Sequence, residues 1–141
     1  MMKSRKVLGS LMAVLALGGT SFVATIPAAE ASDSSCPVGA SCVWTGKGYT
    51  GIKGRNYDHS SPVHESINNQ GKSAAANGAT CKKTRFYDYT WGNSGSFFIL
   101  HSESIVGTNY RDPDLSNGAG VGDYAHENWE NRVSRITYVC D

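Results

Sequence analysis

Short runs of aromatic and β-branched residues recur along the chain, separated by clusters of Gly, Asn, Asp and Ser. These runs occupy residues 42–44, 84–87, 96–100 and 135–139. Because side chains alternate along a strand, Ile136 and Tyr138 would share one face of the last run. Segment 73–76 (Ser-Ala-Ala-Ala) could form a helical turn, which Asn77-Gly78 would end at once. Short strands bounded by turn residues predict an all-β sandwich or barrel.

The N-terminal segment has the order of a secretory signal. Positive residues at Lys3, Arg5 and Lys6 precede an apolar run over 7–17, and the small-x-small triplet 29–31 follows. The apolar run is too short for a membrane anchor, which must cross roughly 30 Å of hydrocarbon. We therefore expect residues 1–31 to be a signal peptide and residues 32–141 to be one secreted, extracellular domain.

The charge balance of the mature chain excludes some partners. Removing the predicted signal leaves ten basic and eleven acidic residues, a formal charge of −1. Nucleic acids and anionic membranes need clustered Lys and Arg, so we expect neither as a partner. The one basic cluster, Lys82-Lys83 with Arg85, is interpreted as the charged edge of a sheet.

Four cysteines in a small exported domain predict a disulfide framework. They are Cys36, Cys42, Cys81 and Cys140, and they allow three connectivities. The spacing favours Cys36–Cys42, because a Pro and a Gly lie between them and can turn the chain, which leaves Cys81 to pair with Cys140. A zinc site is disfavoured, since no C-x-x-C or H-x-x-x-H pair is present.

A weak internal repeat divides the mature chain into two units. Each opens with an aromatic residue, a second aromatic five positions later and then a turn residue. The first unit opens with Trp44, Tyr49 and Gly51, and the second with Phe86, Trp91 and Asn93. We expect the two aromatics of the first unit to pack edge to face over a folded hairpin. A polar Asn-containing segment closes each unit, at 68–73 and 130–135, and the second unit carries an insertion-like stretch over 112–125.

The repeat resembles the βγ-crystallin Greek key. The opening Cys36-Pro37-Val38-Gly39-Ala40-Ser41-Cys42, after a bacterial type of signal peptide, resembles peptidase inhibitor family 36. That family includes a microbial metalloproteinase inhibitor with a βγ-crystallin-like fold. The resemblance implies an all-β, βγ-crystallin-like Greek-key β-sandwich, with two Greek-key units in one disulfide-bonded domain. It also implies a monomer that inhibits an extracellular protease, specifically a metalloprotease.

Related crystallin-type domains bind calcium through the closing segments, which makes four residues weak calcium candidates. They are Asn68, Asn69, Asn131 and Ser134. Lys72 occupies the expected hydroxyl position and Arg135 follows the second site, so positive charge would lie beside either ion. We interpret both segments as turn caps, disfavour calcium and expect no cofactor.

The resemblance also implies a contact segment for the protease. The metalloproteinase inhibitor presents a loop closed by a small disulfide, and the matching region here, 80–87, has only Cys81. Its candidate contact residues are Lys82, Lys83, Arg85, Phe86 and Tyr87. Phe86 would enter an apolar protease pocket. The alternative is that Phe86 and Tyr87 are ordinary core residues of a strand.

Two other functions compete with inhibition. One is a βγ-crystallin-like calcium-binding or structural extracellular module without inhibitory activity. The other is an enzyme, which we disfavour because the histidines fit no recognised catalytic pattern. They lie at His59, His64, His101 and His126.

Overall fold

The computed structural model describes residues 33–57, 60–89 and 95–141, so the predicted signal peptide lies outside the described residues. Within those ranges no helix is long and apolar enough to cross a membrane. Eight strands form there: β1 (Ala40–Trp44), β2 (Lys53–Asn56), β3 (Ser60–Pro62), β4 (Ser73–Asn77), β5 (Lys83–Tyr87), β6 (Phe97–His101), β7 (Arg111–Asp112) and β8 (Arg135–Val139).

The strands pair into two antiparallel four-stranded sheets, which we call sheet A and sheet B. Sheet A has the order β2-β1-β4-β7 and sheet B has the order β3-β8-β5-β6. In each unit the fourth strand returns beside the first, as a Greek key requires. The third strand instead crosses to the opposite sheet, so β3 pairs with β8 and β7 pairs with β4. This arrangement confirms the predicted βγ-crystallin-like sandwich of two Greek-key units in one domain.

The main core lies between the sheets. Phe86 stacks on Phe98 with ring centroids 4.8 Å apart, and Trp129 meets Phe98 edge-on at 5.0 Å. Ile136 is fully buried there and Tyr138 packs against the same cluster, as the alternation along β8 predicted.

A second apolar cluster covers the outer face of sheet A. Its members are Cys36, Ala40, Cys42, Trp44 and Ala75, with Tyr49 packed against them. The chain before β1 lies across this face, since the Trp44 Nε1–H donates to the Asp33 carbonyl at 3.1 Å. The N-terminal segment is therefore held on the sandwich, and the first disulfide ties it to Cys42 in the middle of β1.

Two sequence interpretations are wrong. Segment 73–76 forms most of β4, an inner strand hydrogen-bonded to both β1 and β7. Pairing on both sides outweighs the helix preference of alanine, which is a weak effect in a buried segment. Strand β5, which carries Lys83 and Arg85, lies between β8 and β6, so this basic cluster does not mark a sheet edge.

Candidate functional site

The first hairpin is folded over as the repeat predicted. The rings of Trp44 and Tyr49 meet edge-on, with centroids 5.2 Å apart and planes at 71°. Gly51 adopts a φ of +76°, which side chains rarely tolerate. The Ser73 hydroxyl accepts from the Tyr49 N–H at 3.0 Å and donates to the Gly46 carbonyl at 2.7 Å. These bonds hold the hairpin onto β4, so the hairpin is a structural element.

The second opening motif is only partly described. Phe86 is fully buried in β5, but the strand position of Trp44 is held by the next residue, Tyr87. The Lys72 N–H donates to the Trp44 carbonyl and the Ser134 N–H donates to the Tyr87 carbonyl, both at 2.8 Å. Trp91 and Asn93 lie outside the described residues.

The two closing segments are joined to each other by backbone hydrogen bonds. Asn69 and Asn131 both have positive φ, at 54° and 62°. The Asn69 N–H donates to the Val133 carbonyl at 3.1 Å, and the Asn131 N–H donates to the Gly71 carbonyl at 2.7 Å. Each segment thus satisfies a backbone carbonyl of the other, and Asn suits both positions because it tolerates a positive φ.

Polar contacts already involve the side chains of these segments that were candidates for binding calcium. Lys72 Nζ lies 3.2 Å from Glu130 Oε1, so an ammonium group joins the two segments. The Ser134 hydroxyl donates to Asn69 Oδ1 at 2.8 Å, so the side chains of these two candidate ligands bond each other. Among residues 33–57, 60–89 and 95–141, no group of three His, Cys, Asp or Glu side chains could hold a metal ion.

The predicted protease-contact residues divide between the core and the surface. Phe86 and Tyr87 are buried, which favours the interpretation that they are core residues of a strand. The Arg85 guanidinium lies 4.9 Å from the Phe97 ring centre, and Lys83 pairs with Asp141. Lys82 is exposed. The structure therefore does not bring this set together as an exposed apolar surface.

The disulfides follow the connectivity that the spacing favoured. Cys36 bonds Cys42, and Cys81 bonds Cys140. The first bond closes a short ring over residues 36–42, which we call the N-terminal ring. Region 80–87, which the resemblance matches to the closed loop of the inhibitor, has only Cys81, and this residue bonds the distant Cys140. The N-terminal ring is instead closed by its own disulfide.

An open depression of about 210 Å³ lies between the N-terminal ring and the second disulfide. It is lined by Gly39, Tyr57, Ala79, Thr80, Cys81 and Tyr138. All six lining residues are uncharged. We call this depression together with the exposed residues of the N-terminal ring the ring end of the sandwich. Sequence reasoning missed this surface, although the Pro and Gly between Cys36 and Cys42 already indicated a turn.

Ion pairs fix the segments around the sandwich. Lys53 Nζ lies 2.5 Å from Asp33 Oδ2, and this hydrogen bond, with that of Ser35, holds the pKa of Asp33 well below its usual range. Hydrogen bonds from Ser116 and then Lys47 lower the pKa of Asp114 to about 2. The first pair ties the N-terminal segment to β2, so these charges have structural roles.

Two solved structures resemble this chain in overall shape. A beta gamma crystallin from Ciona intestinalis is 14% identical with a TM-score of 0.48, covering 71% of this chain and 99% of its own. The N-terminal domain of protein S is 13% identical with a TM-score of 0.44, covering 72% of this chain and 96% of its own.

No curated protein matches the chain. A family model described as Peptidase inhibitor family I36 does match, over residues 29–99. This range is half of the 141-residue chain and includes the N-terminal ring and strands β1 to β5. The chain therefore belongs to peptidase inhibitor family I36.

Proposed function

We propose that this protein is a secreted inhibitor of an extracellular metalloprotease. Membership in a peptidase inhibitor family carries the proposal and makes the chain an inhibitor rather than an enzyme. Two disulfides in a small domain suit an oxidising extracellular environment. The signal-like N-terminus supports secretion, and sequencing the N-terminus of exported protein should give Ser32.

The scaffold suits inhibition because it is already ordered before binding. Association orders side chains and loops at a cost, and a rigid inhibitor avoids much of that cost. The two disulfides and the exchanged strands β3 and β7 hold this sandwich in one arrangement. A domain of this kind can present one surface to an enzyme without reorganising.

The chemistry of the ring end favours a protease with an apolar pocket. Trypsin-type enzymes bind a basic side chain over an acidic group in the pocket. The depression at the ring end is lined by uncharged residues, and Val38 beside it is exposed. Together with the resemblance of the N-terminal opening to a metalloproteinase inhibitor, this supports a metalloprotease that prefers apolar side chains.

A protease panel tests the proposal. The mature chain, residues 32–141, would be titrated against a zinc metalloprotease that prefers apolar residues, and against trypsin-type, papain-type and pepsin-type enzymes. We expect stoichiometric inhibition of the metalloprotease alone. Inhibition should persist when zinc is added in excess, which separates binding to the enzyme from removal of its metal. If none of the enzymes is inhibited, the proposal is wrong. If only a protease of another class is inhibited, the protein is an inhibitor of that class and not of a metalloprotease.

The alternative of a calcium-binding module has a separate test. Because Lys72 already pairs with Glu130, we expect no heat of binding when millimolar calcium is titrated into the protein. The melting temperature should also be the same with calcium and with a chelator. A tight isotherm with a large rise in melting temperature would favour the alternative.

A further inference from the structure

We propose that the N-terminal ring is the part of the inhibitor that enters the protease active site, with Val38 in the enzyme's apolar specificity pocket. The inference rests on the proposed function and names the surface that carries it out. It also replaces Phe86, which is buried, as the side chain that the enzyme binds.

Val38 has the exposure and stiffness that such a role needs. It is 63% exposed, more than any other large apolar side chain that is described as exposed. Its β-branched side chain has few rotamers, so little side-chain freedom is lost on binding. The preceding Pro37 is also exposed, and the pyrrolidine of its side chain fixes the backbone angle φ at this residue. The tip of the ring therefore presents an apolar side chain on a stiff backbone.

Buried groups fix the N-terminal ring on the side that faces the sandwich. Cys36 and Cys42 are both buried, so the disulfide is part of the cluster on the outer face of sheet A. Across the tip, the Ala40 N–H donates to the Pro37 carbonyl at 3.0 Å. Only the two residues between that donor and acceptor are left to form the tip, which limits how the tip can move.

Strand β4 holds the ring from below. The Gly39 N–H donates to the Asn77 carbonyl at 2.6 Å, and Asn77 Nδ2 donates to the Cys36 carbonyl at 2.8 Å. Asn77 is itself buried. Gly39 has a φ of +88°, a conformation that glycine adopts readily. Because the loop is already fixed in this way before binding, little further conformational entropy is lost when the complex forms.

The surface around Val38 can complete an interface. A stable complex buries roughly 800 Å² on each partner, which is more than one loop supplies. Tyr57 is 61% exposed, and Ala79 and Thr80, which also line the depression, are exposed as well. A binding hot spot usually has a central residue surrounded by contacts that contribute little binding energy but exclude water. Uncharged neighbours also suit the mouth of an apolar enzyme pocket.

The substitution Val38→Asp tests the assignment, because a carboxylate would be buried without a partner in an apolar pocket. We expect the inhibition constant for the metalloprotease to rise by about 100-fold or more, the range of a hot spot. The melting temperature should not change, since position 38 is exposed. Val38→Leu should retain inhibition.

Ile52→Asp is the matched control. Ile52 is 58% exposed and follows the hairpin at the other end of β1, so the same charge is added away from the ring. It should inhibit as the parent does. If Val38→Asp lowers the melting temperature, Val38→Ala and Tyr57→Asp serve instead, and both should weaken inhibition.

The outcomes separate this inference from the proposed function. If the parent inhibits no protease, both fall. If the parent inhibits and Val38→Asp does so equally well, the ring assignment is overturned and the proposed function stands. If Lys82→Asp abolishes inhibition and Val38→Asp does not, the protease contact lies in residues 80–87 instead. A parent dimer that Val38→Asp converts to a monomer would make a second copy the occupant and overturn the assignment.

Discussion

At the scale of single residues, side-chain size differs across the core. In the second unit, Phe86 and Phe98 stack with planes 2° apart, and Trp129 closes the cluster edge-on. Opposite them, β4 contributes the small side chains of Ala74 and Ala76. Close-packed interiors respond to the loss of even a few atoms, so the aromatic side should be sensitive to truncation.

The substitution Phe86→Ala should lower the free energy of unfolding by about 3–5 kcal/mol, because it leaves a cavity against Phe98. Urea denaturation of the parent and the variant would measure this. Tyr89→Ala is the control: Tyr89 follows β5, is 57% exposed and should change stability by about 0.5 kcal/mol or less. Unchanged stability of Phe86→Ala combined with lost inhibition would place Phe86 at the interface instead.

Single residues differ in how much of their role could be predicted. The spacing of Trp44, Tyr49 and Gly51 predicted their packing and turn, because a short local motif determines both. Val38 could not be recognised from the sequence in the same way. Its exposure depends on bonds from the ring to Asn77, which follows some 40 positions later in the chain.

At the scale of elements, the loops are tied to one another by polar contacts. The first hairpin meets the segment after β7, where Lys47 Nζ lies 2.9 Å from Asp114 Oδ1. The Gly48 N–H also donates to the Pro113 carbonyl at 2.9 Å. Asp114 accepts from the Ser116 hydroxyl at 2.6 Å, which fixes its carboxylate toward the hairpin. This contact joins the first unit to the insertion-like stretch of the second.

Stability should therefore fall in acid. The folded pKa of Asp114 is about 2, below its ordinary value of 3.8, so its contribution is complete above about pH 4 and is lost as the pH falls through 2. The lowered pKa of Asp33 acts in the same direction. Burial raises the pKa of Asp112, whose contribution instead decreases as the pH rises through that raised value.

Urea midpoints measured near neutral pH and at about pH 2.5 test this expectation. Asp114→Asn should lose less stability between the two conditions than the parent does. Asp123→Asn, an exposed carboxylate in the loop before Tyr124, should behave as the parent. If acid lowers the stability of the parent and of Asp114→Asn equally, the contact between Asp114 and Lys47 does not have the assigned role.

The strands also divide into those that a pattern reveals and those that it does not. Strands β1, β5, β6 and β8 carry the aromatic and β-branched residues that indicate β structure. Strand β7 is only Arg111–Asp112, and β4 is mostly alanine. Neither has a strand pattern of its own, and each forms because its neighbours supply hydrogen-bonding partners.

At the scale of the whole molecule, each disulfide stays within one Greek-key unit. Cys36–Cys42 lies in the first unit, with a sequence separation of 6, and Cys81–Cys140 lies in the second, with a separation of 59. In the chain-entropy model, a longer closed loop restricts the unfolded chain more. The second bond should therefore contribute more to stability than the first.

Replacing Cys81 and Cys140 together by Ser should cost roughly 4 kcal/mol, and replacing Cys36 and Cys42 roughly 2 kcal/mol, both measured by urea denaturation. The double replacement of the first pair should also weaken inhibition if the ring acts as proposed. The intact mass of the exported protein should match two disulfides, and iodoacetamide should label no thiol before reduction. Equal costs for the two pairs would mean that loop length does not determine their contributions.

The exchange of β3 and β7 makes the two halves of the chain mutually dependent. In the described part of the chain, no covalent bond other than the backbone joins the halves, and one of the two edge strands of each sheet comes from the other half. A chain cut in the segment between β4 and β5 would yield two fragments with incomplete sheets, and each fragment would regain its structure only in the presence of the other. The two halves of the sandwich therefore assemble as the two subunits of a heterodimer do. The ring end contains residues of both halves: Gly39 and Tyr57 come from the first, and Cys81 and Tyr138 come from the second.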